Sequence, residues 1–128
     1  MIAPIRVLLL EDNAVFREAL ELLFGLRSDV DVVGSIGDGG AAVEACRELA
    51  PDVLLLDYRL PGMDGLRVAE ALKADCPDVA LVCLTASASP QELEGLAAAG
   101  VAATLTKDQE LDVIIAALHL AAGRAPPE

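Results

Sequence analysis

Short apolar runs recur along the chain, and each is followed by a segment in which apolar residues return every three or four positions. The runs cover residues 5–10, 30–36, 53–57, 79–84 and 101–106. Nearly continuous apolar runs of this length are typical of strands buried on both faces. The spacing between the runs is typical of amphipathic helices. The pattern therefore predicts that strands and helices alternate five times along the chain.

The predicted helices cover residues 14–26, 41–49, 64–74, 91–99 and 108–121. In the first of them, apolar positions recur at helical spacing on the side opposite the charged ones, Arg17, Glu18 and Glu21. The apolar positions are Val15, Ala19, Leu22, Leu23 and Leu26. Asp12 or Asn13 is expected to cap this helix, and Asp108 is expected to cap the last one.

Alternating strands and helices predict a parallel sheet covered on both faces and joined by right-handed connections. We expect a doubly wound α/β fold, a flavodoxin-like three-layer sandwich with strand order 2-1-3-4-5. With 128 residues the chain has the usual size of one domain.

The amino-acid composition limits the kinds of molecule that this chain is expected to bind. Hydrophobic residues make up 55% of the chain and aromatic residues only 2%, so the core must consist of aliphatic side chains. There are 21 acidic and 9 basic residues, which give a net charge of −12. This charge argues against direct binding of a phosphate backbone, so nucleic acid is not an expected partner of these residues themselves.

Cysteine and histidine usage disfavours a zinc site or a disulfide framework. Cys46, Cys76 and Cys83 are odd in number and form no C-x-x-C pair, and His119 is the only histidine. The first residues lack the features of a signal peptide, and no apolar run is long enough to span a membrane. We therefore expect a cytoplasmic protein in a reducing compartment.

Polar residues follow four of the predicted strands at the point where each ends. Glu11 and Asp12 follow the first strand, Asp57 ends the third, Thr85 follows the fourth and Lys107 follows the fifth. In the expected strand order these side chains meet at the carboxyl end of the sheet, where open α/β sheets bind ligands. Crowded carboxylates repel one another unless a cation joins them, and oxygen ligands favour Mg²⁺.

A metal ion, an ammonium group and a hydroxyl around one carboxylate suit a phosphoryl group, because its oxygens need charge neutralisation from several directions. Asp57 is the candidate nucleophile, since carboxylates form covalent aspartyl phosphates. Taken alone, each of these residues has a simpler role, as a helix cap, a turn residue or a surface lysine. Their combination favours the phosphoryl site.

The same residues carry a family resemblance. The acid pair Glu11-Asp12, the strand-end Asp57 followed by L-P-G-M-D-G, the pair Thr85-Ala86, and Lys107 resemble the receiver domain of bacterial two-component response regulators. The resemblance covers nearly the whole chain, and we expect a receiver domain over residues 1–122. It implies phosphorelay signalling, in which Asp57 accepts a phosphoryl group from a histidine kinase. Beyond Mg²⁺-dependent self-phosphorylation and autodephosphorylation, no enzyme activity is implied.

The resemblance also implies a role for each site residue. Mg²⁺ would bind Glu11, Asp12, Asp57 and the backbone carbonyl of Arg59. Thr85 and Lys107 would contact the phosphoryl oxygens and act with Asp57, moving the loop after the fourth strand and altering the surface formed by the last two helices and the strand between them. By position, Arg59 and Ser87 would influence the dephosphorylation rate.

Two departures from the family pattern affect the expected output. Receivers commonly carry an aromatic residue where this chain has Thr104, and its only tyrosine, Tyr58, lies elsewhere. The pair Lys107-Asp108 resembles NarL/FixJ-type regulators, whose receivers precede a DNA-binding domain that these residues do not include. We interpret residues 123–128 as a tail or the start of a linker to that domain. Apolar helix faces are compatible with a homodimer formed on phosphorylation.

Two alternatives remain open at the level of sequence. The segment 37–42 matches the dinucleotide-binding pattern G-x-G-x-x-A after a strand and before a helix. It follows the second strand, however, and explains neither Lys107 nor Thr85. The other alternative is a degenerate receiver that acts as a phosphorylation-independent protein-interaction module, which the unusual Thr104 favours.

Overall fold

A computed structural model describes residues 3–60 and 63–124. Its strands form one parallel sheet in the order β2-β1-β3-β4-β5. The strands are β1 (Ile5–Leu10), β2 (Val30–Ile36), β3 (Val53–Asp57), β4 (Ala80–Thr85) and β5 (Ala103–Thr106). The predicted doubly wound fold and strand order are therefore confirmed.

A helix follows each strand and returns the chain to the amino end of the sheet. The helices are α1 (Ala14–Gly25), α2 (Ala42–Leu49), α3 (Gly65–Asp75), α4 (Pro90–Ala98) and α5 (Leu111–Ala121), with a short 3-10 turn at Gly39–Ala41 before α2. The sequence explains several of the helix ends. Asn13, Asp64 and Ser89 each accept a hydrogen bond from a backbone N–H in the first turn of the helix that follows.

The sheet separates two hydrophobic layers. Leu8, Leu54 and Cys83 point to the side covered by α2, α3 and α4, whereas neighbouring residues such as Val7 and Leu55 point to the side covered by α1 and α5. This alternation follows from the two-residue period of a strand. Every residue of β3 is buried, so the strand that ends at Asp57 is held rigidly on both faces.

The prediction of which side of α1 is buried was wrong. Leu20 and Phe24 are its buried residues, whereas Val15, Leu22 and Leu26 are 78%, 74% and 84% exposed. Phe24 is fully buried and decides the orientation, because it belongs to the hydrophobic cluster that includes residues of β1, β2 and α5. The apolar spacing in the sequence thus marks an uncovered surface of α1.

The start of α5 also differs from the expectation. The helix begins at Leu111, three positions after the residue expected to cap it, and its N-cap is Glu110. Asp108 instead accepts a hydrogen bond from the Thr106 hydroxyl within the preceding turn. A short polar side chain after a strand can stabilise either a turn or a helix start, and here the turn is formed.

Of the segment interpreted as a tail or linker, residues 123–128, the last four lie outside the described residues. Pro61 and Gly62 of the L-P-G-M-D-G motif lie outside them as well. Within residues 3–60 and 63–124, no helix has the length and apolar character needed to cross a membrane.

Candidate functional site

Strand register brings the expected site residues to one end of the sheet. Leu10 pairs with Leu56, so Glu11 lies beside Asp57 on the next strand. Asp57 pairs with Leu84, and the next position along β4 is Thr85. Lys107 follows the last residue of β5, and its backbone N–H donates to the Thr85 carbonyl oxygen over 2.9 Å.

The acidic residues form a compact cluster at this end. One carboxylate oxygen from each of Glu11, Asp12 and Asp57 lies within 4.8 Å of the others. Glu11 and Asp57 are 3% and 6% exposed, whereas Asp12 faces solvent. Hard divalent cations take oxygen ligands of this kind and keep several waters, so the cluster fits Mg²⁺ with part of its coordination open to solvent.

Lys107 supplies an ammonium group to the cluster. Its Nζ atom lies 2.7 Å from Glu11 Oε1 and 3.4 Å from Asp57 Oδ2. The same Nζ atom sits 4.7 Å from the centre of the Phe16 ring, an arrangement that favours a cation. Burial lowers the pKa of Lys107, but hydrogen bonding to Glu11 and the nearby Asp57 charge together outweigh burial and raise the pKa above its ordinary value. The lysine is therefore held in its charged form.

One ammonium group does not balance the carboxylates. The pKa of Glu11 is raised to about 7, mainly by burial and then by its contact with Asp57, while Lys107 acts in the opposite direction. Arg17 approaches the same place, but its Nη1 atom donates to the backbone carbonyl of Glu11 and not to a carboxylate. A further cation would relieve this crowding.

The loop after β3 is held tightly against Asp57. The backbone N–H of Gly65 donates to the Tyr58 carbonyl oxygen over 2.6 Å. A Cβ atom at position 65 would lie 2.8 Å from the Tyr58 Cα atom and 3.0 Å from the Asp57 carbonyl oxygen. Only glycine allows this approach, so the start of α3 fixes the backbone that carries Asp57.

Two loop residues complete the site. The Thr85 hydroxyl is buried and donates to the Ser87 carbonyl oxygen over 2.8 Å. The backbone N–H of Arg59 lies 3.4 Å from Asp57 Oδ1. The structure thus brings Glu11, Asp12, Asp57 and Lys107 into contact distance, while the Thr85 hydroxyl is engaged by its own loop.

Sequence reasoning missed the support around these residues. It did not assign Phe16 as a neighbour of Lys107, or Arg17 as a partner of the Glu11 backbone. Both lie about one helical turn after Asp12. Aromatic residues are scarce in this chain, so an aromatic residue this close to the acid pair could have been singled out from the sequence. It also missed that Arg59 contacts both the Tyr58 ring and Glu92 on α4.

The glycine segment after β2 has a structural explanation. Asp38 accepts a hydrogen bond from the Gly40 N–H over 2.9 Å and so starts the 3-10 turn. A Cβ atom at Gly39 would lie 3.0 Å from Val68 Cγ2 on α3. These glycines allow a tight turn and close packing of α2 against α3, and dinucleotide binding is not needed to explain them.

Comparison with known families identifies the arrangement. The model of the response regulator receiver domain matches residues 7–119. The chain belongs to this family. Receiver domains are phosphorylation-dependent signalling modules of two-component systems, and this family generally binds Mg²⁺ at its acidic pocket.

Individual relatives agree with this assignment. A "probable transcriptional regulatory protein NarL" of Mycobacterium tuberculosis is 36% identical over 121 residues, which cover 94% of this chain and 56% of that protein. A protein-glutamate methylesterase/protein-glutamine glutaminase of Myxococcus xanthus is 35% identical over an alignment that covers 100% of this chain and 40% of that protein. The chain thus spans about half or less of the length of these relatives.

The fold agrees with a solved relative. The signal receiver domain of the response regulator NarL from Mycobacterium tuberculosis superposes with a TM-score of 0.87 at 35% identity, covering 96% of this chain and 100% of that one. The names of the two sequence relatives differ, since one is a transcriptional regulatory protein and the other a methylesterase/glutaminase. Similarity over this chain therefore does not by itself specify an output.

Proposed function

We propose that Asp57 accepts a phosphoryl group in a Mg²⁺-dependent reaction and that its phosphorylation changes the surface of this domain. The observation that carries the proposal is the cluster of Glu11, Asp12 and Asp57, with carboxylate oxygens within 4.8 Å of one another beside the ammonium group of Lys107. The carboxylates carry more negative charge than Lys107 neutralises. A divalent cation would balance this excess and could also bind the oxygens of a phosphoryl group.

The carboxylates of Glu11, Asp12 and Asp57, with the backbone carbonyl of Arg59, would hold Mg²⁺. When bound, the metal neutralises carboxylate charge and charge on the phosphoryl oxygens. Burial of Glu11 and Asp57 at the end of rigid strands keeps the two carboxylates in place before the reaction, which lowers the cost of assembling the site.

In the transfer step, an oxygen of Asp57 attacks the phosphorus of a phosphohistidine or a small acyl phosphate. A bond forms between Asp57 and phosphorus while the bond to the donor breaks, and the bonding electrons leave with the donor. Lys107 pairs with a phosphoryl oxygen, because its ammonium group already lies 3.4 Å from Asp57 Oδ2. The Thr85 hydroxyl would exchange its bond to Ser87 for one to the phosphoryl group, which would move that loop.

A histidine kinase is the proposed physiological donor, with cytoplasmic location following from that partner. The proposed output is a DNA-binding domain of the NarL type on a longer chain, supported by similarity to the Mycobacterium tuberculosis regulator along 94% of this sequence. DNA binding would belong to that domain, since these residues carry a net charge of −12. We propose no membrane contact.

A homodimer formed on phosphorylation is also proposed. The uncovered apolar surface of α1, with Val15, Leu22 and Leu26 largely exposed, is the candidate contact. Sedimentation with and without a phosphoryl analogue tests this, and an unchanged monomer in both conditions would exclude phosphorylation-favoured dimerisation.

Incubation with acetyl phosphate and intact-mass measurement test the central proposal. Wild type should gain the mass of one phosphoryl group in Mg²⁺ and none when EDTA removes the metal. Asp57→Ala should gain none in either buffer, while Lys107→Ala should keep the fold and lose signalling. No adduct on wild type in Mg²⁺ would refute the phosphorylation mechanism and favour a pure interaction module.

A further inference from the structure

The residues after Asp57 connect the site to α4. Arg59 extends in two directions: its backbone N–H lies 3.4 Å from Asp57 Oδ1, and its Nη2 atom lies 3.5 Å from Glu92 Oε2 on α4. The guanidinium carbon of Arg59 also lies 5.3 Å from the centre of the Tyr58 ring. Tyr58 is only 8% exposed and belongs to the same hydrophobic cluster as Leu96 of α4.

Glu92 controls the start of α4 at the same time. Its Oε1 atom accepts from the Ser89 N–H over 2.9 Å, and its own N–H donates to the Ser89 hydroxyl oxygen over 3.1 Å. This reciprocal pair is a capping box, which satisfies two N–H groups at the helix N-terminus. The two oxygens of one carboxylate therefore serve different partners, Ser89 in the helix cap and Arg59 next to the site.

The pKa values reflect the same contacts. Burial raises the pKa of Tyr58, and the neighbouring Glu92 carboxylate raises it further. The pKa of Glu92 is lowered, first by its bond from the Ser89 backbone, and the Arg59 guanidinium lowers it further. This agrees with the 3.5 Å contact between Glu92 and Arg59.

We propose that Glu92 is a positioning residue through which occupation of the Asp57 site reaches the N-terminus of α4, by way of Tyr58 and Arg59. The inference rests on the proposed function, because it takes a ligand at Asp57 as the signal. A metal ion or phosphoryl group on Asp57 competes for the oxygen that the Arg59 N–H approaches. A shift of Arg59 changes its contact with Glu92, and the capping box transmits that change to the first turn of α4.

Occupation of the Asp57 site would affect the loop between Thr85 and Ser89 at both of its ends. At one end the Thr85 hydroxyl holds the Ser87 carbonyl oxygen, and at the other end Glu92 holds Ser89. Thr104 lies on β5 opposite Cys83 and brings no aromatic ring to this region. The route through Glu92 gives the site a connection to α4 that does not depend on residue 104.

The test compares Glu92→Gln with wild type and with Glu94→Gln. Glutamine can still accept the Ser89 bond of the capping box, so the substitution removes the charge facing Arg59 and leaves the cap intact. Glu94 is exposed on the same helix and controls for the loss of one negative charge there. Each protein is titrated with Mg²⁺ and beryllofluoride, an analogue of a phosphoryl group.

Two readouts separate occupation of the site from transmission to the helix. Tyr58 is the only tyrosine and the chain has no tryptophan, so its fluorescence reports occupation of the adjacent Asp57. Hydrogen exchange of the amides in α4 reports the helix. In wild type and Glu94→Gln the ligands should change both signals, with α4 exchange changing by about fivefold, the lower end of allosteric couplings.

Glu92→Gln should keep the fluorescence response and lose the change in α4 exchange. An α4 response in Glu92→Gln equal to that of wild type would overturn the inference, as would occupation of wild type without any response in α4. Loss of ligand binding itself in Glu92→Gln would also overturn it, since Glu92 would then belong to the site. Absence of any fluorescence response in wild type would instead count against the proposed function.

Discussion

The two ends of the parallel sheet use the same kinds of charged side chain in different ways. At the amino end, Asp29 lies 2.9 Å from both Arg27 Nε and His119 Nε2. Asp52 accepts from the Arg6 backbone N–H over 2.8 Å and lies 3.8 Å from Arg124. At the carboxyl end, clustered carboxylates share the ammonium group of Lys107.

The difference separates structural charge from functional charge. At the amino end, Asp29 and Asp52 join β1, β2, β3 and α5 and already have cationic or N–H partners, so these two carboxylates gain nothing from an added ion. The carboxyl end keeps excess negative charge in a partly buried place, which costs folding free energy until a ligand neutralises it. Such a stored electrostatic cost is what makes a site sensitive to a metal ion or phosphoryl group.

The largest stability effect is expected at Lys107. In Mg²⁺-free buffer, Lys107→Met should lower the free energy of unfolding by about 3 kcal/mol, because two buried carboxylates lose their cationic partner. Mg²⁺ should recover part of that loss in urea denaturation. Arg67→Met, at an exposed position on α3, is the control and should change little. A variant as stable as wild type without Mg²⁺ would contradict the proposed imbalance.

A smaller loss of stability is expected at the amino end, where the substitution removes a carboxylate and not a cation. Hydrogen bonding to Arg27 is the main cause that lowers the pKa of Asp29 from 3.8 to about 2. A lowered folded-state pKa contributes stability above the ordinary pKa, and this stability disappears as the pH falls from about 4 towards 2. Asp29→Asn should therefore cost on the order of 1 to 2 kcal/mol at neutral pH, after allowance for partial exposure.

Urea denaturation across that pH range checks the Asp29 prediction. The stability difference between wild type and Asp29→Asn should shrink towards acid pH, whereas Asp31→Asn, at an exposed position on β2, should track wild type. Mg²⁺ should leave the difference unchanged. A difference that is independent of pH would show that Asp29 acts through packing alone.

The smallest effect should reverse its sign with the metal. Without Mg²⁺, Asp12→Asn should raise the free energy of unfolding by about 0.5 kcal/mol, because it removes an exposed charge from a repelling cluster. With saturating Mg²⁺ the variant should become the less stable protein, since it binds the ion more weakly. Asp78→Asn, exposed at the amino end, should respond to Mg²⁺ as wild type does. The same sign in both buffers would argue against Asp12 as a metal ligand.

Most of the fold could be predicted because each strand is a separate apolar run that ends in polar residues. Strand β3 illustrates this, with buried residues up to Asp57 and then a turn. The buried face of α1 could not be predicted from spacing, because both of its sides carry apolar residues. Phe24 decides between them only through its fit against the sheet.

The acidic part of the site could be predicted because topology alone brings the strand ends together. Glu11, Asp57 and Lys107 needed no side-chain detail to be placed as neighbours. The contacts of Arg59 with Tyr58 and Glu92 could not be predicted, since they depend on how the loop after β3 turns towards α4. Whether Asp108 caps α5 or stabilises the preceding turn depends in the same way on local turn geometry.

Mapping the phosphorylated residue tests the central claim most directly. After treatment with acetyl phosphate and Mg²⁺, borohydride reduction converts a phosphorylated aspartate to homoserine, which peptide mass spectrometry locates. Homoserine should be found at Asp57 and at neither Asp52 nor Asp29 of the amino end. Homoserine at an amino-end aspartate, or at no position in a folded protein, would contradict the assignment of the carboxyl end as the phosphoryl site.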